Sequence, residues 1–243
     1  MANWPDPRST SAGFGSVNVG AVSAEFDAGL RSYMLSIYNY MASAVLVTGV
    51  VAMLFAQSGL AEQVLMTPLR WVIMFAPLAF VMVLSFGINR LSTGTAQLLY
   101  WAFAVVMGLS MSSIFLVYTG TSIAQAFFAA AAAFAGLSLY GYTTKRDLSA
   151  FGTFLIMGVV GILVASLLNL WMQSTALALA ISILGVLIFA GLTAYDTQKL
   201  KSMYAYVAGT DQMGKTVIMG ALNLYLDFIN MFMFLLRLFG DRR

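Results

Sequence analysis

Seven long apolar segments dominate the chain, and short polar connections separate them. The segments have roughly 18 to 24 residues each, a length that lets a helix cross the hydrocarbon core of a bilayer. Their approximate ranges are 34–55, 71–88, 96–118, 123–142, 148–171, 176–196 and 216–239. Apolar and polar residues do not alternate within them, as they would in the strands of a membrane barrel. The pattern therefore predicts an all-α polytopic membrane protein with seven transmembrane helices, since a helix satisfies its own backbone hydrogen bonds in lipid.

The residues before these segments have a different composition. Residues 1–22 are rich in Gly, Ser, Ala and Asn, contain Pro5 and Pro7, and lack the apolar core of a secretory signal. We expect a disordered tail over 1–22, followed by a single membrane domain over 23–243.

The seventh segment carries a polar stripe. Asn223, Asp227 and Asn230 follow at i, i+4 and i+7, so they share one face of a helix, and Gly220 precedes them by one turn. A carboxylate at membrane depth is costly, so this face should contact protein or water and not lipid. We therefore predict that the last helix is central and that the other helices surround it.

Composition supports a membrane protein and excludes several kinds of site. The chain is 61% hydrophobic and 9% charged, with a mean hydropathy of +0.89. It contains no Cys and no His, which excludes disulfides, thiolate chemistry, haem ligation by His and the usual zinc sites. The basic residues are scattered over span ends and connections, so no nucleic-acid partner is expected.

The distribution of Lys and Arg predicts the orientation. With seven spans and a cytoplasmic N-terminus, eight basic residues face inward: Arg8, Arg31, Arg90, Lys145, Arg146, Lys199, Lys201 and Lys215. Four face outward: Arg70, Arg237, Arg242 and Arg243. Because positive charge favours the inner side, this majority predicts a cytoplasmic N-terminus, although the last three of the outward residues go against the rule.

Two of the nine acidic residues lie within apolar segments, Asp196 in the sixth and Asp227 in the seventh. Asp196 could be a helix-end carboxylate that pairs with Lys199 or Lys201, and Asp227 could make a buried structural hydrogen bond. If the two carboxyl groups meet, they cannot easily both be charged, and they titrate as a unit. Such a pair could sense protons, bind a cation weakly or act as an acid and base. Their meeting requires a longer sixth helix, a tilted seventh helix or a water-filled cavity.

Motifs around these acids resemble a known family. Tyr195-Asp196 is followed by Lys199, and Leu224-Tyr-Leu-Asp-Phe-Ile-Asn230 leads into Phe234-Leu-Leu-Arg-Leu-Phe239. These residues look like the motifs of the Bax inhibitor-1 (transmembrane BAX inhibitor motif) family, in its bacterial branch. The seven-segment pattern extends the resemblance over about residues 30–240.

The resemblance implies a function and a site. It implies a pH-sensitive Ca²⁺ leak through the bacterial inner membrane, with Asp196 and Asp227 as the proton-sensing pair. No cofactor is expected. Arg90 matches a family gating partner at the end of the second segment. Ca²⁺ would be the transported ion, held weakly by the two acids, because it prefers about 6 to 8 oxygen ligands and weak binding lets an ion leave. Supporting polar residues are Tyr195, Asn223 and Asn230.

Two other functions stay open. An intramembrane aspartyl protease also needs two aspartates, one of them in a Tyr-Asp context, but Asp227 follows Leu224-Tyr-Leu where that class has Gly-x-Gly, and no Pro-Ala-Leu segment is present. We therefore do not predict an enzyme. The resemblance also allows an interaction protein that modulates a membrane protease, for which residues 1–22 could be the binding segment.

Overall fold

The computed structural model describes residues 19–243, with side chains described from Ala24 onward. Its helices are α1 (Val19–Gln57), α2 (Leu60–Leu65), α3 (Leu69–Gly87), α4 (Thr93–Met111), α5 (Ser113–Val117), α6 (Gly120–Thr143), α7 (Ser149–Met172), α8 (Thr175–Val207) and α9 (Met213–Phe239). Residues 1–18 of the predicted tail lie outside this part of the chain, and residues 19–22 begin α1. The division into a tail and a membrane domain stays a prediction.

Seven helical stretches among the described residues are long and apolar enough to cross a membrane. They are α1, α3, α4 together with the short α5, α6, α7, α8 and α9. Each coincides with one apolar segment of the sequence, so the all-α polytopic architecture is confirmed.

Helix α8 is longer than the sixth apolar segment of the sequence. The apolar segment ends near Asp196, but the helix continues to Val207. Thr197, Leu200 and Tyr204 in this extension are buried and follow at i, i+3 and i+7. One face therefore packs against the bundle, and tertiary burial keeps the helix going after the mean hydropathy has dropped.

Helix α9 is the central element of the bundle, as predicted. In its most apolar 18-residue window, 72% of the residues are buried, against 11–33% in the other six spans. Its main contacts are with α8, α1, α6 and α4, whereas α3 packs chiefly on α4 and α7 on α8. The last helix is thus enclosed mainly by four neighbours, with α3 and α7 in an outer layer.

A buried hydrogen-bond network connects α9 to two of these neighbours. The Thr48 hydroxyl on α1 donates to the carbonyl oxygen of Ala104 on α4 at 2.9 Å. It also lies 2.7 Å from the Tyr225 hydroxyl on α9. Because Thr48 has a single hydroxyl proton and gives it to Ala104, Tyr225 is the donor in the second bond.

Candidate functional site

The two intramembrane acids meet between α8 and α9. Asp227 is 5% exposed, Asp196 is partly buried, and their carboxyl groups lie within hydrogen-bonding reach of each other. At 1.5 Å per residue, Asp196 lies about 16 Å from the end of α8 and Asp227 about 21 Å from the start of α9. The helices are antiparallel neighbours, so the extension of α8 brings the two acids to a similar depth. Asp196, near the end of the sixth apolar segment, can therefore contact Asp227 in the middle of the seventh.

The Asp227 carboxyl group has an unsatisfied oxygen in the core. Oδ2 of Asp227 is fully buried and has no hydrogen-bond donor among the described side chains. A second carboxylate beside it would be repelled, and an isolated charge in this core would be very costly. A proton on one of the two carboxyl groups would supply a donor to the other.

A cavity leads to the pair from the end of the bundle where α8 and α9 are connected. We call it the Asp196 cavity; its volume is about 220 Å³. Its polar lining is Asn89, Asp196, Lys199, Gln212, Lys215, Thr216 and Asn223. Asp196 is therefore accessible from one side of the protein, and Asp227 lies behind it in the core.

The other predicted site residues occupy different positions around this cavity. Asn223 lines it, whereas Asn230 donates its side-chain amide to the carbonyl oxygen of Leu226 on its own helix at 2.8 Å. Arg90 is exposed just beyond α3 and does not line the cavity, where its neighbour Asn89 does. Its gating role stays a prediction.

Tyr195 supports the site from outside the cavity. Its ring occupies the space beside Gly152 on α7, where a Cβ atom would clash with it. The ammonium group of Lys199 lies 5.9 Å from the centre of the same ring. Tyr195 thus packs α8 against α7 one residue away from Asp196.

Sequence reasoning missed Lys215 at the mouth of the cavity. Lys215 lies about two turns before Asn223 on α9, and both residues line the cavity. The Lys199 ammonium is also close enough to act electrostatically on Asp196. Lys199 lines the cavity together with Asp196, whereas Lys201, the other predicted partner, donates its ammonium group to the carbonyl oxygen of Tyr142 at 2.7 Å.

The arrangement is suited to protons and to weak cation binding. Within the part of the chain with described side chains, no cluster of three or more acidic residues could hold a metal ion. Two carboxyl groups, the Asn223 amide and water would give a weak oxygen site, because a tight calcium site needs several carboxylates.

Comparison with known proteins places the chain in a family. A family model described as "Inhibitor of apoptosis-promoting Bax1" matches residues 30–243. The chain belongs to the Bax inhibitor-1 family. The matched range contains both acids and all seven apolar segments, so the predicted family is confirmed.

Relatives of this Bax inhibitor-1 family member occur in diverse bacteria. Inner membrane protein YbhL of Escherichia coli strain K12 is 48% identical over 220 residues, covering 89% of this chain and 94% of the relative. Uncharacterized protein RP147 of Rickettsia prowazekii is 48% identical, covering 90% and 93%. Uncharacterized membrane protein SpyM3_0260 of Streptococcus pyogenes is 34% identical, covering 92% and 99%. Together with its seven apolar helices, these matches make this chain an integral membrane protein of the family.

Proposed function

We propose that this protein is a pH-sensitive leak pathway for Ca²⁺, and that protonation of the Asp196–Asp227 pair controls it. The contact between these two carboxyl groups carries the proposal, because it joins α8 to α9 and holds only while a proton is shared. Loss of the proton places two negative charges side by side, and the helices then separate or a cation enters between the charges. Either response couples pH to a path through the bundle.

The surroundings of the pair fit a leak better than ion storage. A site with two acids and an amide binds a divalent cation weakly, and an ion that binds weakly also leaves. The Asp196 cavity supplies the route from one side. Lys199 and Lys215 at its mouth oppose cation entry, which fits slow passage and not rapid conduction.

The proposal extends to location and orientation. We place the protein in the inner membrane, the location given in the name of its relative, inner membrane protein YbhL, with the N-terminus in the cytoplasm. In this orientation the Asp196 cavity opens toward the cytoplasm, where Lys199 and Lys215 satisfy the preference for positive charge inside.

Calcium flux into liposomes tests the proposal. The parent protein, Asp196→Asn and Asp227→Asn would be reconstituted, and Ca²⁺ uptake followed with an entrapped indicator from about pH 5 to 8. We expect pH-dependent uptake in the parent and no pH dependence in either variant, since Asn keeps the shape of Asp but cannot ionise. Asp147→Asn, at an exposed connection, is the matched control and should behave as the parent does.

Two results would contradict the leak. Flux that stays pH-dependent in both Asn variants would exclude the acid pair as the sensor. No flux above that of empty liposomes would favour the interaction protein, and a truncation lacking residues 1–22 would then show whether the predicted tail binds a membrane protease. Peptide cleavage that disappears in either Asn variant would favour the aspartyl protease instead.

A further inference from the structure

A second polar cavity lies at the opposite end of the bundle from the Asp196 cavity. Its volume is about 450 Å³, and it is lined by the end of α7, the start of α8, and Arg237, Leu238 and Arg242. Its polar lining is Ser166, Asn169, Thr175, Ser182, Arg237 and Arg242. We call it the arginine cavity. It combines two guanidinium groups with hydroxyl and amide donors, and no carboxylate is among its lining residues.

The backbone around Arg242 is held in place by the connection that precedes α6. The Arg243 N–H donates to the carbonyl oxygen of Val117 at 2.9 Å, and the Thr119 N–H donates to that of Asp241 at 3.1 Å. The Asp241 N–H also donates to the Ser122 hydroxyl at 3.0 Å. Arg242 is therefore presented by a paired segment, so a ligand would bind it at a reduced cost in conformational entropy.

Arg237 is positioned by an aromatic contact. Its guanidinium carbon lies 5.6 Å from the centre of the Phe234 ring on the same helix. Stacking on a ring leaves the N–H edges of a guanidinium free to donate, and the geometry of those edges matches phosphate oxygens. Two guanidinium groups that line one cavity without a carboxylate create a positive potential that an anion would neutralise.

The position of the cavity favours a membrane lipid as the source of that anion. Trp171, at the end of α7, is 88% exposed, as expected of a side chain at the membrane–water interface. Leu170 and Leu179 belong to the cavity lining and are 71% and 55% exposed on the outer surface of the bundle. A phosphate in the cavity would thus be next to an apolar surface that acyl chains cover.

We propose that the arginine cavity binds the phosphate of an anionic phospholipid headgroup, with Arg237 and Arg242 as the principal donors. The lipid would bridge α7, α8 and the segment after α9, and so stabilise the packing of the central helix at this end. This binding site is separate from the acid pair and does not depend on the leak function. Free phosphate has the same donor requirements, so the test must distinguish the two sources.

Native mass spectrometry of the detergent-solubilised full chain tests the proposal. Dioleoylphosphatidylglycerol and dioleoylphosphatidylcholine would be titrated against the parent and the double variant Arg237→Gln/Arg242→Gln. We expect the parent to bind the anionic lipid more tightly than phosphatidylcholine. The double variant should bind the anionic lipid at least about tenfold more weakly than the parent does, because charge-assisted hydrogen bonds are lost. Phosphatidylcholine binding should change little.

A matched control is available at the other end of the bundle. Lys145 and Arg146 line a basic cavity there that also contains Asp147. Hydrogen bonds from the Ser149 side chain and backbone hold the pKa of Asp147 below its usual value, so it remains a carboxylate and lowers the positive potential. Lys145→Gln/Arg146→Gln should therefore keep the preference for the anionic lipid. Equal losses in the two double variants would mean general electrostatic attraction and would overturn the site.

Two further measurements distinguish a specific lipid site from misfolding of the variant and from binding of free phosphate. Arg237→Lys/Arg242→Lys retains both charges and should keep most of the binding; if it binds normally while the Gln pair does not fold, the site stands. Inorganic phosphate should not displace the bound lipid from the parent. If millimolar phosphate displaces it, the cavity takes soluble anions and the assignment to a lipid is wrong.

Discussion

At the scale of single residues, Asp227 is a buried carboxyl group that needs polar partners in an apolar core. Its side chain is nearly enclosed by the central helix and its neighbours, where an isolated carboxylate is very unfavourable. Asp196 lies beside it, and the proposal that the two carboxyl groups share a proton makes the interface between α8 and α9 sensitive to proton concentration. Loss of pH-dependent calcium flux in Asp196→Asn and Asp227→Asn is the residue-scale prediction that follows.

The network of Thr48, Tyr225 and Ala104 yields a stability prediction with a defined order. Thr48→Val removes the acceptor of the buried Tyr225 hydroxyl and the donor to Ala104, and should lower the free energy of unfolding by about 1–3 kcal/mol. Tyr225→Phe leaves the bond from Thr48 to Ala104 intact and should cost less, about 0.5–1.5 kcal/mol. Equilibrium unfolding in mixed micelles measures both values, and a larger loss for Tyr225→Phe would contradict the assigned donor direction.

At the scale of helices, close approach depends on small residues at particular positions. Gly141 on α6 faces the backbone of Ala194 on α8, and a Cβ atom added there would clash with the Ala194 carbonyl. Gly136, more than one turn earlier on the same helix, has open space around it. The two glycines have the same chemistry but only one of them sets a helix–helix distance.

The pair Gly141→Ala and Gly136→Ala tests this difference. Gly141→Ala forces α6 away from α8 and should destabilise the protein by about 1–3 kcal/mol. Gly136→Ala should be neutral or stabilise it by up to about 1 kcal/mol, since Ala favours the helical conformation. Thermal unfolding in detergent compares the two variants directly. Equal effects would show that α6 and α8 are not in close contact.

The sequence pattern predicted the positions of the helices better than it predicted their ends. The apolar segments located every span because transfer of a helix into lipid depends on local composition. The same criterion placed the end of the sixth span near Asp196, whereas α8 continues to Val207. This extension is polar on one side and is held by burial of Leu200 and Tyr204, which is a property of the packed bundle.

At the scale of the whole molecule, the two cavities lie at opposite ends of the central helix. The proposed orientation puts the Asp196 cavity on the cytoplasmic side and the arginine cavity on the outer side. Most basic residues lie on the cytoplasmic side in this orientation, but Arg237 and Arg242 lie on the outer side. The proposed anionic ligand would neutralise their charges there. The orientation therefore decides which side of the membrane each of the two proposed sites faces.

Single-cysteine labelling tests the orientation, and the chain has no native cysteine to interfere. Glu62→Cys lies in the exposed connection between α1 and α3, and Lys145→Cys lies in that between α6 and α7. We expect a membrane-impermeant maleimide to label Glu62→Cys in intact cells and Lys145→Cys only after permeabilisation. The reverse pattern would place the N-terminus outside and the Asp196 cavity with it.

The sequence by itself determined the class of protein, the number of spans, the central position of the last helix and the two candidate acids. Each of these follows from the cost of placing polar groups in hydrocarbon, a cost that depends on each segment alone. Only the tertiary structure decided that Asp196 lies beside Asp227, that Lys215 lines the Asp196 cavity, and that Arg237 and Arg242 line one cavity. These contacts join residues of different helices or of a helix and a loop. They therefore depend on how deeply each helix sits, how it is rotated and what packs against it.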